Sequence, residues 1–276
     1  MTNVLVVEVW GGMGDVLLAT PALKALKRSR PDLELRVQCQ ENHVEILEHN
    51  PYIDYVSSFP GDPRFQNVHV TDTNYGRLYP SISCRKHATE IIADMLGVDL
   101  EDRKLIIALT EADEEKAMDI VAGYKNPVSV HITSGSLAYK NWPLNRWEEL
   151  LHRMPDCTFI QLGEKKDPRV RSTVDVRGMT TAREAIAVVK HTRCFLGVDS
   201  FLNHATTAVG TPGVVLFGPS TPKIWGHAQN TNIYKNVECS PCVDTIGKNT
   251  CPHTHRCMAT ISVGEVEEAI RRTLEA

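Results

Sequence analysis

Between Cys194 and Phe217 two apolar runs flank a small-residue segment, and this spacing restricts the fold more than any other stretch. Cys194-Phe-Leu-Gly-Val198 reads as a buried strand, followed at once by Asp199-Ser200. A helix is predicted over 201–209, then the turn Gly210-Thr-Pro-Gly, then a second strand at Val214-Val-Leu-Phe217. A strand, a helix and a strand joined by short links form the unit of a parallel sheet. Polar residues at the carboxyl end of such a strand lie where open α/β sheets bind ligands. His204 is one turn into the helix, and helical side chains lean toward the N-terminus. Asp199, Ser200 and His204 can therefore face one crevice. Helix capping by Asp199 and Ser200, with His204 packed at the surface, fits the same pattern equally well.

The same alternation runs through the chain. Val4 to Val9 reads as a strand, and Trp10-Gly-Gly-Met-Gly14-Asp15 turns it into a helix carrying Leu17, Leu18, Leu23 and Leu26. This turn lacks the ending of a P-loop and the third glycine of a dinucleotide fingerprint. What remains is a carboxylate at a positive helix end, ionised at neutral pH. Asp15 suits a general base that takes a proton from a hydroxyl, or an ordinary N-terminal cap. A strand at Leu33–Val37 and a short helix around 44–47 follow. Residues 60–85 are irregular, polar and aromatic, a pattern expected of a binding loop or lid. A helix is expected over 91–96, and Thr110-x-x-Asp113 opens another with a capping box. Gly123 to Pro127 marks the expected domain boundary, giving an N-terminal domain over 1–124 and a second over 125–260. In the latter, strands are predicted over 128–132, 158–162 and 174–176. Helices open at Asn145-x-x-Glu148 and Thr181-x-x-Glu184. A C-terminal helix within 261–276, capped by Ser262-x-x-Glu265, carries the stripe Val266, Ile270, Leu274.

Two further strand ends carry chemistry. Thr133-Ser-Gly-Ser136 with Lys140-Asn-Trp-Pro143 combines approachable backbone N–H groups with one point charge, which suits a diphosphate. A polar loop lidded by Trp142 is the plainer explanation. Leu162-Gly-Glu-Lys-Lys-Asp167 places Asp167 where a carboxylate could accept from ribose hydroxyls, or forms a solvated charged turn.

Of eight cysteines, Cys39, Cys84, Cys157 and Cys194 are scattered, as buried thiols are. Cys239-x2-Cys242-x8-Cys251-x5-Cys257 is concentrated in a loop-rich module over 236–258. Four thiolates, with His253 or His255 able to replace one, suit a closed structural zinc or iron site without an open catalytic position. At 276 residues the chain is long enough for two domains, and its net charge of −4 argues against non-specific nucleic-acid binding. No window approaches the roughly 18 apolar residues of a membrane span. The N-terminus opens directly into a strand pattern, so a cytoplasmic location is expected.

Together these residues resemble glycosyltransferase family 9, the ADP-heptose heptosyltransferases and their relatives. Gly14-Asp15-Val-Leu-Leu-Ala-Thr-Pro-Ala-Leu23 is similar to that family's opening signature, and Lys140-x-Trp-Pro143 to its second. Gly197-Val-Asp-Ser-x-x-x-His204 with Gly210-Thr-Pro and Leu216-Phe-Gly-Pro219 is similar to its third. The resemblance implies an α/β fold of the GT-B type: two Rossmann-like domains facing a cleft, here with a small cysteine-rich metal module near the C-terminus. It implies Asp15 as the base, and Thr133, Ser134 and Lys140 holding the diphosphate of a nucleotide-sugar donor. Asp199, Ser200 and His204 would line the donor site, with Asp167 near the ribose. The implied reaction is inverting transfer from ADP-heptose or another nucleotide sugar to a hydroxyl of a glycan, a protein or a modified nucleobase. No catalytic metal is expected; helix N-termini and Lys140 would stabilise the departing diphosphate. Phe201 stands where familiar heptosyltransferases carry glycine, and the chain is shorter than typical members. The cysteine module is absent from the lipopolysaccharide enzymes and similar to the iron-binding module of the autotransporter protein heptosyltransferases. Another GT-B sugar-nucleotide enzyme, such as an epimerase, and a non-catalytic sugar-nucleotide-binding or assembly module share these features.

Overall fold

The computed structural model describes residues 3–59, 69–74, 85–135, 138–243 and 251–276, and the chain divides into two compact units. The first comprises Met1–Pro80 and Lys86–Leu109. Its strands are β1 (Asn3–Glu8), β2 (Leu33–Cys39), β3 (Tyr55–Ser58) and β4 (His69–Asp72). Its helices are α1 (Met13–Ser29), α2 (Val44–Leu47) and α3 (Ala88–Leu96). The strands pair in parallel in the order β3-β2-β1-β4, with Val6 opposite Arg36 on one side and Val70 on the other. Leu5, Val6 and Val7 are all buried, as expected for a central parallel strand covered on both faces. Leu17, Leu18, Leu23 and Leu26 of α1 are buried as well.

The second unit takes in Thr110–Ala276 together with Ser81–Arg85. It opens with α4 (Glu111–Val121), β5 (Pro127–His131), α5 (Leu144–Arg153), β6 (Thr158–Gln161) and β7 (Val174–Asp175). Next come α6 (Ala182–His191), β8 (Cys194–Val198), α7 (Phe201–Val209), β9 (Gly213–Phe217) and α8 (Pro222–Trp225). It closes with β10 (Thr231–Tyr234), α9 (Arg256–Ala259) and α10 (Val263–Glu275). All six strands pair in parallel in the order β10-β9-β8-β5-β6-β7. This is the doubly wound order, and it reverses between β5 and β8, where such sheets form their ligand crevice. Val128, Val130, Leu196, Val214 and Leu216 fill the core with Trp147, Val266 and Ile270. Trp142 meets Trp147 edge-on at 5.1 Å and donates its indole N–H to the Ile261 carbonyl at 3.1 Å. The tryptophan of the Lys140–Pro143 motif is thus a core anchor that fixes the approach to α10.

The capping boxes at Thr110, Thr181 and Ser262 form as predicted. The one expected at Asn145-x-x-Glu148 does not. Pro143 occupies the cap position and α5 begins at Leu144, which places Asn145 inside the first turn. The division between the units falls between Leu109 and Thr110 rather than after residue 124, because α4 packs on α6. The region 60–85, read as a binding loop or lid, lies largely outside the described residues. Among the described residues no helix is long and apolar enough to cross a membrane.

Candidate functional site

The β5–β8 pairing sets His131 opposite Gly197, so the ends of these strands converge at the reversal point of the sheet. Ser200 occupies the cap position of α7, yet its hydroxyl makes no cap bond. Instead it lies 2.8 Å from His131 Nδ1, at the end of the neighbouring strand. The capping explanation of Ser200 therefore fails. Burial pushes the His131 imidazole down to about 4, against the pull of the Asp167 and Glu164 carboxylates. His131 is thus neutral at pH 7.

This shift has a consequence for stability. The unfolded chain binds a proton on His131 near pH 6.5 while the folded chain does so only near 4. The contribution is present in full above the unfolded value and is lost as pH falls from 6.5 toward 4, amounting to up to about 3 kcal/mol. Urea midpoints at about pH 7 and about pH 4.5 should therefore differ less in His131→Asn than in the wild-type chain.

Asp199 is buried and accepts from Lys140 Nζ at 2.7 Å, with side-chain exposures of 4% and 13%. The Lys140 ammonium also lies 5.7 Å from the Trp225 ring centroid. Thr133 and Ser134, buried just after β5, line the approach, and the Ser134 N–H donates to Asn141 Oδ1 at 3.0 Å. Asp167 lies beside His131. Its Oδ2 accepts from the Glu164 N–H at 2.8 Å and rests against Gly163, whose φ of +130° suits only glycine. A Cβ there would stand 2.5 Å from that oxygen and 3.3 Å from the His131 ring.

His204 makes a different contact. Its Nδ1 meets His227 Nε2 at 2.9 Å, and both imidazoles are buried. The predicted residues Lys140, Asp199, Ser200 and Asp167 are joined by His131 and Trp225, which sequence reasoning passed over. Only the place of His131 at a strand end offered a signal for it; His227 and Trp225 offered none.

In the first unit Asp15 stands at the start of α1 after the β1 turn. Its Oδ2 accepts the Gly12 N–H at 2.7 Å, so the carboxylate does cap the helix. Gly11, with φ of +108°, cradles it; a Cβ at that position would overlap Oδ2 at 2.2 Å. Trp10, exposed beside it, stacks on Phe59 at 4.5 Å.

The four clustered cysteines are neighbours, and the seven described cysteines form no disulfide. Burial first, then the Cys239 and Cys251 sulfurs, push the Cys242 thiol up to about 11, and Cys257 is raised to about 11 chiefly by burial. Among the described residues, however, no group of three or more His, Cys, Asp or Glu side chains is arranged to hold a metal ion. The cage expected at Cys239, Cys242, Cys251 and Cys257 is not closed. Neutral thiols have no mutual attraction, and a cation is what deprotonates and gathers them. The donor set fits zinc or iron in chemistry and neighbourhood.

A profile described as glycosyltransferase family 9 (heptosyltransferase) matches residues 85–253. Lipopolysaccharide heptosyltransferase 1 of Pseudomonas aeruginosa is 27% identical over 196 residues, 65% of this chain and 52% of that protein. The chain thus matches about half the length of this curated relative. Among solved structures, a family 9 glycosyl transferase from Veillonella parvula superposes with a TM-score of 0.77 at 18% identity, covering 99% of this chain and 97% of that one. ADP-heptose lipopolysaccharide heptosyltransferase II of E. coli gives 0.75 at 14% identity, covering 99% and 98%. The iron-containing dodecameric glycosyltransferase TibC of enterotoxigenic E. coli gives 0.79 at 16% identity, covering 99% and 76%. The doubly wound parallel units are the fold of these structures, and the profile match over more than half of the chain shows that it belongs to glycosyltransferase family 9.

Proposed function

We propose that this chain is an inverting glycosyltransferase that moves a sugar from a nucleoside-diphosphate donor to an acceptor hydroxyl. The observation that carries the reading is the Lys140 ammonium held by buried Asp199 beside Ser200 and His131, at the reversal point of the second unit's sheet. A lysine beside helix N-termini is suited to the charge that develops on a departing diphosphate. Thr133 and Ser134 would add hydrogen-bonding groups to the phosphates, Asp167 would serve the ribose, and His204 would complete the wall. Asp15 would take the acceptor proton as the glycosidic bond forms. TibC has been crystallised with ADP-D-β-D-heptose, which makes that compound the first donor to try. Phe201, the first residue of α7, would narrow the sugar pocket, so Phe201→Gly should broaden the range of sugars accepted.

Calorimetry with ADP, UDP and GDP, followed by transfer assays with the matching sugars and glycan, protein or nucleobase acceptors, tests the reading. Binding of none of the diphosphates at millimolar concentration would sink it. Binding without transfer would favour a sugar-nucleotide-binding module, and isomerised donor would favour an epimerase. For the cysteine module the proposal is a structural zinc or iron held by Cys239, Cys242, Cys251 and Cys257, the ion closing the loop and taking no part in transfer. Elemental analysis of the purified chain should find about one such ion per chain, and Cys242→Ser should lose it. Unchanged metal content in that variant would remove the proposal.

A further inference from the structure

We infer that Trp225 is a positioning residue for Lys140, the indole face and the Asp199 carboxylate together setting where the ammonium points. The inference rests on the reading of Lys140 as the residue that meets the donor diphosphate. The ammonium lies 2.7 Å from Asp199 Oδ2 and 5.7 Å from the centre of the Trp225 ring. A lysine stem is long and flexible, and one carboxylate fixes the distance of the charge without fixing its direction. A second, non-titrating contact from another side supplies that direction. The face of an indole attracts a cation through its quadrupole, most strongly when the cation is shielded from water, as Lys140 is here.

The surroundings of Trp225 favour this role over simple packing. Within α8 the core residue is Ile224, which is buried, while Trp225 is only half-buried. A helix of four residues cannot hold its own conformation in isolation. It is tied down from α7: Asn203, fully buried, donates its side-chain N–H to the Trp225 carbonyl at 2.9 Å. Asn230 in turn donates to Asn203 Oδ1 at 3.2 Å and to Thr206 Oγ1 at 2.9 Å. Buried amide N–H groups are costly unless bonded, and the side-chain nitrogens of both asparagines are bonded so as to fix the backbone that carries the indole.

The test is a double-mutant cycle read by calorimetry of ADP binding to the whole chain. Lys140→Ala should weaken ADP. Trp225→Leu should weaken it about three- to thirtyfold in the wild-type background and leave it unchanged in the Lys140→Ala background. Trp225→Phe should recover part of the loss, since a smaller ring retains a π face. Equal urea midpoints for wild type and Trp225→Leu would separate loss of fold from loss of position. Should leucine disturb α8, the phenylalanine variant carries the same cycle. If Lys140→Ala weakens ADP while Trp225→Leu has no effect, or an equal effect in both backgrounds, the positioning role is wrong and the donor-site reading stands. If Lys140→Ala leaves ADP binding intact, the reading of Lys140 itself fails and the inference falls with it.

Discussion

Replacing Asp15 with asparagine is expected to lower turnover by about two to four orders of magnitude while leaving ADP affinity unchanged. The substitution separates the two roles that this residue combines. The side-chain amide would keep an oxygen for the Gly12 N–H, which Asp15 Oδ2 now accepts at 2.7 Å, so the start of α1 should survive. It cannot accept a proton from an acceptor hydroxyl. Equal urea midpoints and equal ADP affinities, set beside collapsed turnover, would assign Asp15 as the base. Unimpaired turnover in the asparagine variant would leave it as a cap alone. Asp15→Ala is less informative, because it removes the cap and the base together and costs about 1 kcal/mol of helix stability besides.

The largest expected effect on stability lies at Asp113 and Arg183. Arg183 Nε and Nη2 reach Asp113 Oδ2 at 3.0 and 2.9 Å, with side-chain exposures of 6% for the arginine and 12% for the aspartate. Burial works against the Asp113 carboxylate, but hydrogen bonds from Thr110 and Arg183 hold it below the usual carboxylate range. Asp113→Ala deprives a buried guanidinium of its carboxylate and should destabilise the second unit by about 3–5 kcal/mol, a fall in melting temperature on the order of 10 °C. Arg183→Met should cost less, because Asp113 keeps both the N–H and the hydroxyl of Thr110 at 2.7 Å. A scanning-calorimetry comparison that found the two variants equal would show that the capping bonds contribute little.

The contrast between these pairs explains what the residues disclosed in advance. Features set within one turn of chain were legible: the boxes at Thr110, Thr181 and Ser262 formed, because their partners are three residues apart. Asn145 failed for an equally local reason: Pro143 takes the cap position, which leaves Asn145 within the first turn. The apolar runs announced a buried parallel sheet, since both faces of each central strand are covered. The partners of Ser200 and Asp113 were not legible, because they lie 69 and 70 residues away and meet only through strand order and helix packing. Placing α4 with the second unit depends on that same long-range pair. His204 was marked by spacing as a site residue, whereas its engagement with His227 depends on where the segment after α8 travels. At the cysteines, spacing disclosed the neighbourhood, but among the described residues the four side chains are not arranged as a metal-holding group.

The juxtaposition of β5 and β8 has a kinetic corollary. β6 follows β5 closely in the chain, whereas β8, which covers the other flank of β5, lies much further along it. Non-local parallel pairing is slow, because loop entropy is lost before contacts reward it. His131 and Ser200 meet only through that long-range pairing. A variant that weakens the β5–β8 pairing should therefore separate His131 from Ser200 as well as destabilise the second unit.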